Sequence, residues 1–567
     1  MNRISHTNRI SRVNRMRVKI MTHKIKCLKM KITTFLIILF LIICPGPRTG
    51  AQGAKATSAP LLSDAVTKQY YRWLEEKEEA VPELKNALKH ENWRMRTHAL
   101  LAMGKTRDKS LIPIILETLK NDVHISVRNC AVIALAELEA GSAVPYLLTL
   151  LESDHVVPKE KKVAQKPLIE AFGKIKDPRA VSPLYELLFS KRGTLRRTVT
   201  ESLIAIGDPS VSHLLLKNVS KIKEHRLERN VAEILGELPV SGAEQYLLDL
   251  PESPDRISRI AGITALGKIR SQKASPLLIK FLETGEKEMV EHISEALVQI
   301  DSPDAVEPLC ALLTKKNPLI AMTSAHILSK MSAGPIPEAV YALFENNPLI
   351  NGPAAYTLGR KKYEKALPLI RKRLKDPGQS GQDEMARALG WMGDRESVPL
   401  LISIAERKSR HGSAGAIWSL GQIKAREAVP VLLKLLDQRD PQLTPRIISA
   451  LGNIRDRETA GPLIRLYYET GRGYSLLIAD ALGNIGGPEV IEFVKDNIDS
   501  NDKARKRAGG HALSQMRDKV FVPYFITLLD HKDRLIREYA MRALRKSTGL
   551  KYHTADEWKK VGTGNRE

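Results

Sequence analysis

The sequence predicts an all-α fold, an α-solenoid of about fifteen antiparallel helix pairs, on three observations. The phrase ALGKI at 265–269 returns as ALGWM at 388–392, SLGQI at 419–423 and ALGNI at both 450–454 and 481–485. A second phrase, EAVPVLLKLL at 427–436, places its apolar residues on one helical face and its proline in the first turn, where a missing N–H costs little. Aromatic residues make up only 5% of the 567-residue chain, so the core is built of Leu, Ile, Val and Ala. Each helix pair is too thin to bury its apolar face alone, and neighbouring pairs must stack.

The elements follow in chain order. Residues 1–51 hold eleven Lys and Arg and no acid, which leaves +14 of the formal +25 charge for the rest, a mild bias that does not by itself imply a nucleic-acid partner. Inside this leader, ITTFLIILFLIIC at 32–44 is too short for a comfortable membrane span and suits the apolar centre of a signal peptide. Thr49-Gly50-Ala51 offers the small residues of a cleavage site, and a start at Met30 would give a signal of ordinary length. Export is therefore expected, with 32–44 as an alternative membrane anchor. Cys44 invites lipidation, but Ile43 stands where such a site wants a small residue. Residues 52–61 read as a flexible linker, and 62–80 as an entry helix whose Tyr70, Tyr71 and Trp73 cover the first repeat.

The repeats occupy residues 81–550. Taking the third residue of each ALG-like phrase as an anchor gives 104, 136, 173, 207 and 236, with steps of 29 to 37 residues. From 267 to 545 the step is 31 nearly everywhere. At the far end Gly549 stops the last anchor helix. Thr554 and Glu557 fit a capping box, so that 551–567 lays Trp558 over the exposed core. Cys130 and Cys310, the two cysteines beyond the leader, lie about five layers apart, roughly 50 Å at about 10 Å per layer, too far for a disulfide.

The repeated phrases resemble the HEAT-like repeats of the phycocyanobilin-lyase (PBS lyase) type, V-R-x-x-A-A-x-A-L-G-x-I followed by A-V-P-x-L-L-x-L-L, over nearly all of the chain beyond the leader. The pattern's structural arginine stands at Arg96, Arg128, Arg259 and Arg537, while several central units carry Gly352, Gly381 or Gly412 near the start of the anchor helix. The resemblance implies a right-handed superhelix with the anchor helices on the concave side. It is nearly silent on function. Bilin lyases work inside the cell, against the export signal. Deoxyhypusine hydroxylase, a similar array, builds a di-iron site from several His-Glu dipeptides, and this chain has one, His90-Glu91. No phosphate loop, CxxC pair, HExxH or GxSxG occurs. Catalytic residues, metal ligands and cofactors are accordingly not expected.

Within a unit of anchor g, the core positions are g−9, g−5, g−2 and g+2, and the opposite stripe is g−7, g−3 and g+1. Along this stripe the composition changes. Glu233, Glu237, Glu291 and Glu295 form an acidic segment. Tyr356, Arg360, Arg387, Trp391 and Trp418 form an aromatic and arginine-rich centre, followed by Asp480 and His511. Tyr356–Arg360 and Arg387–Trp391 are spaced for cation–π stacking along one helix, worth about 0.5–2 kcal/mol. Arg, Trp and Tyr are also the residues that dominate binding hot spots. The plainer alternative is that these rings fill gaps between helices or stack on their own arginines. The expected function is a monomeric, non-catalytic exported scaffold that binds a protein or extended peptide. The alternatives are a repeat-family enzyme, of lyase or hydroxylase type, and a polyanion or nucleic-acid binder. A DNA glycosylase pairing Trp418 with Asp480 is one form of the last, although the two lie two units apart.

Overall fold

The computed structural model describes residues 64–562, apart from 77, 153–161, 190–192, 220–221, 223–224, 408–411, 472 and 553. The chain divides into two compact units, 1–69 and 70–567. The leader, the apolar run 32–44, Cys44 and the linker 52–61 lie outside the described residues. Among the described residues the second unit is helices joined by short turns, with no strand, and no helix is long and apolar enough to cross a membrane.

One unit shows why these residues fold as they do. The helix Ser413–Ile423 carries the anchor Gly421 and ends at Lys424, whose left-handed backbone (φ 58°) turns the chain. A tight turn, Arg426–Ala428, leads into the helix Val429–Asp437, which has Pro430 in its first turn and buries Val429, Leu432, Leu435 and Leu436. The next anchor helix, Thr444–Ile454, packs on this helix and on Ser413–Ile423. Repetition of this step generates the array.

The ALG phrase has a direct steric meaning. A Cβ built on Gly421 would stand 2.8 Å from Ala450 Cα, and one on Gly452 2.8 Å from Ala481 Cα. Where the anchor is glycine it is thus pressed against the alanine or serine that opens the phrase in the next unit, a separation only Gly and a small partner permit. The same contact corrects one anchor. Gly173 meets Ser202, so SLIAI at 202–206 is that unit's phrase and its anchor is Ile204, not Gly207. Gly207 is the left-handed residue that ends the helix (φ 78°), the position Lys424 holds in its own unit. The register then steps evenly through 173, 204 and 236, and the stripe residue here is Glu201 rather than Ile204.

The structural arginines bind the carbonyls of the turn before their own helix. Arg96 donates to the carbonyls of His90 and Glu91 and pairs with Asp122 at 2.7 Å. Arg128, buried, donates to the Asp122 and Lys162 carbonyls, and Arg537 to those of His531 and Lys532. The forked guanidinium lets one side chain reach two backbone oxygens at once. In three central units that lack this arginine a glycine stands at or near the helix start: Gly381 and Gly412 sit at the N-caps with positive φ, and Gly352 packs against Gly381.

Both ends of the second unit are closed by tryptophan. Trp73 is 2% exposed and Trp558 is fully buried. Tyr70 meets His98 edge-on at 5.2 Å, but Tyr71 is half exposed and does not join the cover expected of it. The Thr554 hydroxyl accepts the Glu557 N–H at 3.3 Å, and Glu557 accepts the Thr554 N–H at 2.8 Å, closing the capping box. Cys130 and Cys310 are buried free thiols, and burial pushes them up to about 12 and about 11, which leaves them protonated and unreactive.

Candidate partner-binding stripe

The stripe positions of successive anchor helices lie side by side, and most of their side chains are paired across helices. In the g+1 row Glu137 joins Lys105 at 2.9 Å and Lys174, one unit to either side. Burial alone would raise the Glu137 carboxyl, but its hydrogen bonds to the two lysines outweigh that and hold it below the usual carboxylate range.

Half of the acidic segment is paired with cations, a correction to its appearance in the sequence. Glu233 pairs with Arg229 at 3.1 Å, one turn earlier on the same helix, and Glu237 with Lys268 of the next anchor helix at 2.7 Å. Arg229 stands in the g−7 row of the same helix, and Lys268 follows Glu237 in the g+1 row, one unit on. Glu291 and Glu295 lie exposed on the helix Lys287–Ile300.

In the centre, four consecutive anchor helices place rings in contact. These helices are Pro318–Lys330, Asn351–Arg360, Gln382–Met392 and Ser413–Ile423. His326 Nδ1 lies 3.2 Å from the Tyr356 hydroxyl. Tyr356 meets Trp391 edge to face at 5.3 Å between ring centres, and Trp391 meets Trp418 at 5.6 Å. All four rings are half-buried. The cation–π contacts cross between helices instead of following one helix: Arg360 lies 5.6 Å from the Trp391 ring and Arg387 5.5 Å from the Trp418 ring. Along its own helix Arg387 turns back to Asp383, at 2.9 Å, and Asp383 also accepts the Gly415 N–H. A carboxylate from one unit thereby caps the first turn of the next helix, where Gly412 offers no side chain. Asp383 belongs to the site as the residue that fixes Arg387 over Trp418.

His326 is a second residue the centre requires. Burial, reinforced by Lys330 and Arg360, holds its imidazole below the ordinary histidine value. Further on, Asp480 and His511 come together at 3.2 Å, and His511 lies 5.8 Å from the Tyr539 ring. Asp480 is thus engaged with His511 and is not joined to Trp418.

Beyond Trp418 the row of rings stops. A cleft of about 670 Å³ opens there, lined by Trp418, Pro441, Pro445, Arg446, Ser449 and Leu477 among others. Trp418, Pro445, Ser449 and Asn453 occupy stripe positions and were legible as neighbours from the repeat register. Pro441 sits in the turn before the next anchor helix, outside the stripe rows. Among the described residues no group of three or more His, Cys, Asp or Glu is placed to hold a metal ion. In the His90-Glu91 dipeptide, the His90 ring accepts the Asn92 N–H and the Glu91 carbonyl accepts from Arg96.

HEAT repeats match residues 65–136, 81–165 and 336–412, and a PBS lyase HEAT-like repeat matches 414–438. No curated protein matches the chain. Among solved structures, importin β is 12% identical with a TM-score of 0.38, over 85% of this chain and 86% of that one. Kap121p is 13% identical with a TM-score of 0.35, over 86% of this chain and 54% of that one. Human deoxyhypusine hydroxylase is 17% identical with a TM-score of 0.20, over 44% of this chain and 97% of that one. HEAT repeats are thus carried by residues 65–165 and 336–412, and the unit at 414–438, which holds Trp418, matches the PBS lyase HEAT-like type.

Proposed function

We propose that this chain is a non-catalytic, exported scaffold that binds a protein or extended peptide along the stripe of its anchor helices, with the segment from His326 to Trp418 as the main contact. The observation that carries this reading is the run of four half-buried rings flanked by Arg360 and Arg387. Elsewhere on the stripe charged side chains answer one another, as at Glu137 and Glu237. In the centre large, rigid amphipathic side chains stand partly open to solvent, the composition that gives binding faces most of their energy. Export rests on the basic leader and the apolar run 32–44.

The test is a capture experiment from native membranes and periplasm. It compares the wild-type chain with a variant in which Tyr356, Arg387, Trp391 and Trp418 are all alanine. A partner retained by the wild type and lost from the variant, with little dependence on salt, is the expected result. Identical partners in both would overturn the site, and steep loss of binding with salt would point to a polyanion instead.

A further inference from the structure

We infer that the cleft beside Trp418 receives an aromatic side chain presented by an acidic segment of the partner; this deepens, and rests on, the reading of the stripe as a partner-binding face. Each inner ring of the series has a ring on both sides: Tyr356 lies between His326 and Trp391, and Trp391 between Tyr356 and Trp418. Trp418 has a ring on one side only. On the other side the next anchor helix, Thr444–Ile454, presents Ser449 at the equivalent position, and the Ser449 hydroxyl turns back to the Pro445 carbonyl at 2.9 Å. The volume a fifth ring would fill is the cleft of about 670 Å³. Ligand pockets commonly span about 300–1,000 Å³, so the cleft holds a ring and the backbone that carries it.

The lining states the chemistry of the guest. Trp418, Pro441, Pro445 and Leu477 give it flat apolar walls, which suit an aromatic ring stacked or edge-on. The charged residue in the lining is Arg446, exposed at the entry of its helix, and no lining residue is acidic. Arg446 spends one donor on the Gln442 carbonyl and has others to offer a carboxylate. Arg387 also lies against the Trp418 ring but is paired with Asp383, so the open charge at the cleft is that of Arg446. The nearest stripe acid on the far side, Asp480, is engaged with His511. A ring flanked by Asp or Glu therefore fits both the shape and the charge of the cleft.

Fluorine NMR of the full chain labelled with fluorotryptophan tests this, since the five tryptophans give separate signals and Trp418→Phe assigns one of them. The probes are three short capped peptides: Phe flanked by glutamates, Ala flanked by glutamates, and Phe flanked by lysines. The first is expected to shift the Trp418 signal saturably, with the other two weaker by on the order of tenfold, the scale of one lost ring or charge contact. Ser449→Tyr supplies the missing ring from within the chain. It is expected to leave the melting temperature intact and abolish the Phe-peptide shift. Equal binding of the Phe- and Ala-centred glutamate peptides, or unaltered binding in a folded Ser449→Tyr chain, overturns the inference. Native partner capture separates the two levels. Capture lost in the fourfold alanine variant but unchanged in Ser449→Tyr sinks the cleft alone, whereas capture unchanged in both sinks the stripe and the cleft together.

Discussion

At His326 a single side chain reports the state of the ring series. Its imidazole is held below the ordinary histidine value first by burial and then by Lys330 and Arg360, and it stands against the Tyr356 hydroxyl as a neutral ring at neutral pH. A base that holds its proton more weakly when folded stabilises the fold fully above its unfolded value of about 6.5. That contribution fades as the pH falls from there through the folded value. NMR titration of His326 is therefore expected to show a midpoint below about 6.5, moved upward by Arg360→Gln. A midpoint unchanged by that substitution would remove Arg360 from the cause. The residue identities of this region were legible in the sequence, but their pairing was not. Spacing of four residues suggested that Arg387 would lie on Trp391, whereas the carboxylate of Asp383 holds the guanidinium and directs it to Trp418 of the next helix. Charge-assisted pairing along the helix outcompetes a cation–π contact there.

At the scale of the element, the C-terminal helix Ala555–Gly562 shows how short a cap suffices. Its capping box satisfies backbone donors at its start, and Trp558 removes the last unit's apolar face from water. Thr554→Ala is expected to cost about 1 kcal/mol. Trp558→Ala should cost about 3–5 kcal/mol, and hydrogen exchange should locate the loss in the helix Val522–Thr527, on which this cap packs. Uniform loss across the chain would contradict a local cap. This cap was readable from sequence because its signals lie within four residues. The entry helix was read less well: Trp73 is buried as expected, but Tyr71 projects outward, since three aromatic residues within four positions cannot all face one side of a helix.

At the scale of the whole array, stability is a sum over units and the contacts between neighbours. The tightest of these contacts join each anchor glycine to the small residue of the next unit. Gly421→Ala would force a methyl to within 2.8 Å of the Ala450 backbone, an overpacking that costs about 1–3 kcal/mol. Because the damage is confined to one interface, hydrogen exchange should accelerate in Ser413–Ile423 and Thr444–Ile454 and stay unchanged in Trp93–Thr106. A single cooperative shift of the entire chain would contradict the nearest-neighbour picture.

Periodicity alone determined the fold class, the register of nearly every unit and the stripe of outward positions, because a helix converts spacing in sequence directly into a face. One anchor escaped it, since a glycine ending a helix resembles a glycine inside the phrase until its packing partner is known; the contact of Gly173 with Ser202 decided between Ile204 and Gly207. The tertiary structure alone decided which stripe residues answer one another. Glu237 is neutralised by Lys268, thirty-one residues away, Asp480 meets His511 at the same interval, and Trp418 is left with one open side. Such pairs depend on distances between helices, which the stacking of small residues sets and no single helix encodes.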